Sequence, residues 1–263
     1  MNIDIGKTIR MSDIIDARDG RSLIVDTTMA SVIGATEGLE HVSEAIGSVN
    51  EFCDAVIVNP GTAEHHAPLL GGKNRATPVI RVDWTNAFRG EDFCLPATDV
   101  KRLMVSDGSD ALELGASAVI ASLLFGFDDD FESTNIRDLS HLARECQTLF
   151  LPLFVDIQPI GDRVSEENFE ESIKLGCSFM LELGAEALLI PSCSAETLKF
   201  ICDWMSVPVL VRQDTLPSKD EIEMIFENGA AGIVLSHRIF AQKNLSNEME
   251  KIHWLIHEKE AVQ

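Results

Sequence analysis

Charged side chains interrupt several of the most apolar runs in this chain. Arg81 and Asp83 sit in PVIRVDW, Asp156 follows LFLPLFV, Arg212 closes PVLVR, and His237 and Arg238 follow GIVLS. A buried charge is expensive unless it meets an opposite charge, water or a ligand. Residues of these types in such places imply either an internal ion network or a site. As a site they suit acid/base work on an anion. A carboxylate tuned by burial and neighbours, Asp83 or Asp156, serves as general acid or base, while Arg212 and Arg238 hold a substrate carboxylate or phosphate.

Other chemistry-bearing residues are weaker candidates. His65 and His66 follow the second apolar run and could begin a site of two histidines and a carboxylate. Adjacent histidines in an extended loop point apart, so no metal is assigned. Ser192 and Cys193 could be nucleophiles, but no histidine lies close in sequence to activate them. Lys73, in a Gly-Gly-Lys loop ahead of the third apolar run, is the lysine best placed to reach a site formed by these runs. The acidic stretch 127–132 has neither the central glycine nor the spacing of a calcium loop and reads as a solvated loop or lid. No cofactor is called for.

The elements that must position these residues repeat one pattern: short apolar run, polar loop, amphipathic helical stretch. Runs at 22–28, 55–60, 78–84, 118–125, 149–157, 187–191, 208–212 and 232–237 predict eight strands. Continuous Val, Ile and Leu runs are what a parallel sheet covered on both faces requires. Helices are predicted at 36–49, 106–114, 135–147, 165–183, 195–205 and 219–228, with a closing helix at 247–260 that carries Trp254 and Ile256. The stretch 61–77 reads as a long, flexible loop. Three helices end in the same way, at Gly115-Ala116, Gly184-Ala185 and Gly229-Ala230, each leading into a strand. That repeat predicts an α/β fold, a (β/α)8 TIM barrel. The chain has 263 residues, close to the ~250 typical of such a barrel, so one domain spanning 1–263 is expected.

A formal net charge of −22 argues against nucleic acid or an anionic membrane surface as partner, since like charges repel. The first residues lack the basic start and apolar run of a signal peptide. The longest apolar run, 116–125, is too short to span a bilayer. Six scattered cysteines show no metal spacing and read as reduced thiols in a cytoplasmic protein.

Several stretches resemble the archaeal-type class I fructose-bisphosphate aldolases, whose relatives include the aminodideoxyheptulosonate synthases and the autoinducer phosphosugar enzymes. They are GKTIRMSDII at 6–15, LIV at 23–25, Ile33-Gly34 with Glu37-Gly38-Leu39, LELGASAV at 112–119, LGAEA at 183–187 and ENGAAGIVLSHRIF at 227–240. The resemblance implies the aldolase type of TIM barrel and symmetric homo-oligomers. It also implies a catalytic lysine on the sixth strand, but Leu189 stands there. The family's Asp-His-Gly on the first strand is Thr28, Met29 and Ala30 here, its strand-five tyrosine is Gln158, and the chain has no tyrosine. The Gly-Gly of its phosphate loop is Gln213-Asp214, and its Gly-Arg is Ser236-His237, followed by Arg238.

An imine cannot form on leucine, so Schiff-base chemistry by the family's route is not expected. Aligned on the family's functional positions, strand alternation turns Asp26 and Thr28, Arg81 and Asp83, and Asp156 and Gln158 toward the lumen. The expected catalytic set is therefore Asp83, Asp156, Gln158 and Asp26. Arg81, Arg212, His237, Arg238, Thr28 and His65 would bind substrate. Two functions follow: a repurposed lyase or isomerase for a small anionic sugar-derived or keto-acid metabolite, or a catalytically dead relative that binds a metabolite or a protein partner. The first predicts an open cavity at the mouth, the second a lumen plugged by side chains such as Trp84, Met29 and Leu189.

Overall fold

Eight parallel strands close into a barrel among the described residues, which are 4–73, 75–128 and 130–257 of this computed structural model. In chain order the strands are β1 (Leu23–Asp26), β2 (Ala55–Val58), β3 (Thr77–Arg81), β4 (Asp83–Thr85), β5 (Arg102–Met104), β6 (Ala118–Phe125), β7 (Leu153–Pro159), β8 (Ala187–Ile190), β9 (Val209–Gln213) and β10 (Gly232–Leu235). The barrel runs β1-β10-β9-β8-β7-β6-β3-β2, and β4 and β5 form a separate antiparallel hairpin. The helices are α1 (Ile5–Ser12), α2 (Ala30–Ile33), α3 (Val42–Val49), α4 (Pro60–His65), α5 (Ala67–Leu70), α6 (Gly108–Glu113), α7 (Phe131–Leu149), α8 (Phe169–Leu183), α9 (Ala195–Trp204), α10 (Lys219–Glu227) and α11 (Leu245–His257). None of the described helices is long and apolar enough to cross a membrane.

Strand alternation sorts the apolar residues into two cores. Outward-facing Leu23, Val25, Val56, Ile80, Val119 and Leu188 pack against the helices. Inward-facing Ile24, Ile57, Val79, Ile120, Phe154, Leu189, Leu210 and Val234 fill the lumen, and Ile14, just after α1, closes its N-terminal end. Local signals agree with this layout. Ser218 and Glu221 cap α10 reciprocally, which satisfies two otherwise free N–H groups. The three Gly-Ala junctions carry their glycines at φ 82°, 94° and 93°, the left-handed backbone that ends a helix.

Several expectations need correction. The run 78–84 is not one strand: β3 stops at Arg81, Val82 N–H still bonds Ile120 O at 3.0 Å, and Asp83 then leaves the barrel to start the hairpin. The fifth run starts too early, because Leu149 belongs to α7, which ends on Phe150 in the left-handed conformation at φ 53°. Residues 61–77 are not one loop but hold most of α4 and α5, started by Pro60 and Pro68 in their first turns; Asn74 lies outside the described residues. The helix predicted at 36–49 shortens to α3. In the closing helix, 258–260 lie outside the described residues, as does Asp129 of the acidic stretch, whose last residues open α7.

Candidate active site

The C-terminal ends of the strands gather Asp26, Thr28, Arg81, Asp83, Ser122, Asp156, Gln158 and Arg212 above the apolar lumen. Arg81 is the centre. Its Nη2 donates to Asp26 Oδ2 at 3.1 Å and Asp156 Oδ2 at 3.2 Å, its Nη1 to Ser122 Oγ at 2.9 Å, and its Nε to Thr28 Oγ1 at 3.0 Å. Thr28 in turn donates its hydroxyl and its N–H to Asp26 Oδ1, at 2.6 and 2.9 Å. Arg212 donates to Asp156 Oδ2 and lies 3.9 Å from Asp26. Gln158 Nε2 donates to the other Asp156 oxygen at 2.8 Å.

Asp83 joins the hairpin to this cluster. Where β3 ends, its Oδ2 accepts the Ser122 N–H at 2.8 Å, and it also accepts from Arg102 Nε, on β5, at 3.0 Å. Its Oδ1 faces Arg81 Nη1 at 3.5 Å. Three carboxylates thus meet three guanidiniums, and the cluster is formally neutral. That balance answers the cost of burying six charges.

The electrostatics follow from the packing. Burial pushes the Asp26 carboxyl up, but Arg81, Arg212 and the Thr28 hydrogen bonds outweigh it and hold the group below the usual carboxylate range. Burial also opposes the Arg81 charge, and Asp26, Asp156 and Asp83 more than restore it. Three buried atoms of the cluster, Asp83 Oδ1, Arg102 Nη1 and Arg212 Nε, have no hydrogen-bond partner among the described residues. Asp83 and Arg212 line a cavity of about 30 Å³ at the mouth, covered by Met29, Trp84 and Phe88.

The remaining candidates lie apart from this cluster. His237 starts a short 3-10 turn after β10; burial holds its imidazole below the usual value, and the fields of Asp26 and Arg212 reach it. Arg238 turns outward and pairs with Asp214 at 3.5 Å, with two-thirds of its side chain exposed. His65 is not in an extended loop: it ends α4, exposed, and its Nδ1 donates to Gly61 O at 2.8 Å. Lys73, ahead of β3, lines a surface groove with Glu51, Phe52 and Arg75 rather than the mouth. Ser192 Oγ donates to Arg212 O at 2.8 Å, and burial pushes the Cys193 thiol up to about 11, so neither is an activated nucleophile. At the N-terminal end of the barrel, ligand atoms of Asp16, Asp19 and His257 lie within 4.8 Å of one another, but Arg18 already holds Asp16.

Ser122 and Arg102 were not legible as members of the cluster. Ser122 had a signal, a hydroxyl inside AVIASLLF. Arg102 had none, since its place depends on the antiparallel pairing of β4 with β5.

A lumen of apolar layers topped by a polar, charged C-terminal end is the plan of a (β/α)8 barrel, whose C-terminal face is where such barrels carry their sites. No protein-family model matches the chain. Among curated proteins it is similar to 2-amino-3,7-dideoxy-D-threo-hept-6-ulosonate synthase 1 of Archaeoglobus fulgidus, with 26% identity over 259 residues covering 96% of this chain and 92% of the relative. An uncharacterized aldolase of Saccharolobus solfataricus is 23% identical over 269 residues, covering 97% and 95%. A solved structure of a Schiff-base-forming fructose-1,6-bisphosphate aldolase superposes with a TM-score of 0.79 at 20% identity, covering 95% of this chain and 100% of that one. The last likeness speaks for the fold alone. Over nearly its whole length the chain is thus similar in sequence to proteins named as a heptulosonate synthase and an aldolase, and it shares the barrel fold of the archaeal class I aldolases.

Proposed function

We propose that this chain is a lyase-type barrel of the aldolase family that acts on a small anionic substrate, sugar-derived or a keto acid, by acid/base chemistry without a lysine imine. The observation that carries this reading is the Arg81–Asp156–Arg212 contact at the mouth, two cations sharing one carboxylate oxygen. Leu189, at the position the resemblance gives to the lysine, is fully buried and paired in register with Asp156. The relatives point to the substrate class, since a heptulosonate and a fructose bisphosphate are both anionic sugar derivatives.

The chemistry can be written with the chain's own residues. An incoming carboxylate or phosphate competes with Asp156 for Arg212 and Arg81, because both are planar donors suited to oxyanions. Once displaced, the Asp156 carboxylate has given up its cations and is free to act as a base. It then takes a proton from the substrate carbon or hydroxyl next to the carbonyl, while Gln158 orients it. Substrate binding itself arms the base.

A second reading is favoured by one observation, the cavity of about 30 Å³. A barrel so filled suits a catalytically silent relative that binds a metabolite or a partner protein elsewhere. A thermal-shift screen of sugar phosphates and keto acids separates the two. A ligand at a hundred times its Kd stabilises the wild-type chain by about 2.7 kcal/mol, and Arg212→Ala and Asp156→Asn change that response. If both variants respond as wild type, the mouth is not the binding site.

A further inference from the structure

A cavity of about 30 Å³ holds two or three waters at most, each needing roughly 10–15 Å³, and excludes any sugar phosphate. If the mouth is a site, part of its cover has to move. The strands cannot, because each is paired on both sides within the closed barrel. The cover itself is a different case. Trp84, Thr85 and Phe88 belong to the β4–β5 hairpin and its loop, and none of residues 86–101 is buried.

The hairpin's base is tied to the barrel through Asp83, whose Oδ2 accepts the Ser122 N–H at 2.8 Å and Arg102 Nε at 3.0 Å, but few bonds hold the part beyond it. Also at the base, Val105 and Ser106 both donate to Val82 O, at 2.9 and 3.3 Å. Above it, Trp84 Nε1 donates to Ser31 O at 2.9 Å and Arg89 Nε to Val32 O at 2.8 Å. The Arg89 guanidinium lies over the rings of Trp84 and Phe93, at 5.3 and 5.5 Å from their centroids. Both acceptors are carbonyls of the four-residue helix α2, which a short helix leaves without an internal partner. The part of the hairpin beyond Asp83 and Arg102, whose loop 86–101 has no buried residue and which is fastened to α2 through two side chains, is the kind that opens locally without the rest unfolding.

We propose that the β4–β5 hairpin beyond its Asp83–Arg102 base is a gate over the barrel mouth, with Trp84 and Arg89 as its latches on α2. The gate rests on the reading of the mouth as a site, and it controls access to Arg81 and Arg212.

Hydrogen exchange followed by mass spectrometry on the full chain tests it, with Trp84→Phe and Arg89→Ala as latch variants. Each removes one latch bond, and the hairpin and α2 exchange roughly fivefold faster, while β6 and β8 keep wild-type protection. In a chain carrying Trp204→Phe and Trp254→Phe, the Arg89→Ala change also makes Trp84 fluorescence more readily quenched by acrylamide. Unchanged hairpin exchange in both latch variants, or equal acceleration in every strand, overturns the gate. The same proteins are heated with inorganic phosphate and with pyruvate. If the hairpin opens in the variants yet neither anion stabilises any of them, the gate stands and the acid/base reading of the mouth falls.

Discussion

Replacing Arg81 by Met removes the charge at the centre of the cluster while keeping much of its volume. Five contacts are lost at once, to Thr28, Ser122, Asp26, Asp156 and Asp83. Arg212 and Arg102 remain, so three buried carboxylates face two cations and one negative charge is left uncompensated. Breaking a buried pair in this way costs about 3–5 kcal/mol. At roughly 2–4 °C per kcal/mol for a chain of this size, the melting temperature falls by roughly 6–20 °C.

The loss also depends on pH with a definite sign. In the wild-type chain Asp26 is held below its ordinary value, so its contribution is present above about pH 3.9, the unfolded value, and fades as pH drops through the folded one. Without Arg81, burial lifts that carboxyl, and protonation relieves the excess charge. The cost of Arg81→Met therefore shrinks between pH 7 and pH 5. Urea unfolding followed by circular dichroism at both values measures it, and adding Asp26→Asn to Arg81→Met restores charge balance and recovers part of the loss. A cost below about 1 kcal/mol at pH 7, or one that grows on acidification, refutes the picture of a tightly coupled neutral cluster.

Three further outcomes follow. His257 is clasped between Asp19 at 2.9 Å and Asp54 at 3.1 Å; burial opposes its charge, but the two carboxylates raise its pKa above 6.5. The clasp is complete below pH 6.5 and loosens as pH rises through the higher folded value, so the melting-temperature gap between wild type and His257→Gln is wider at pH 6 than at pH 8.5. Gly161→Ala brings a Cβ to 2.1 Å from the Gly126 carbonyl, a backbone clash that forces the β7–α8 turn apart; calorimetry should show a loss of more than about 2 kcal/mol. Ser218→Ala removes the capping box of α10 and costs about 1 kcal/mol in chemical denaturation.

The fold was legible because burial writes itself into apolar runs: β6 matches its predicted bounds at both ends. What a run cannot announce is its pairing partner. The residues 78–84 are apolar enough to be one strand, yet Asp83 finds Arg102 and the Ser122 N–H outside the barrel ladder, and the chain turns away. The polar lead 4–22 hid α1, whose Lys7 is buried against Glu186 and Gln147. At the mouth, charges inside apolar runs signalled the cluster, and the family resemblance supplied the parity that turned them inward. Arg238 and His65 were misplaced for one reason: both follow a strand end, where alternation no longer says which way a side chain points.

Reduction by borohydride in the presence of dihydroxyacetone phosphate or pyruvate tests the central claim, that the mouth takes its substrate without covalent capture. The account predicts an intact mass unchanged after reduction, in a protein that the same compound protects against heat. A reduced adduct on any lysine would contradict it.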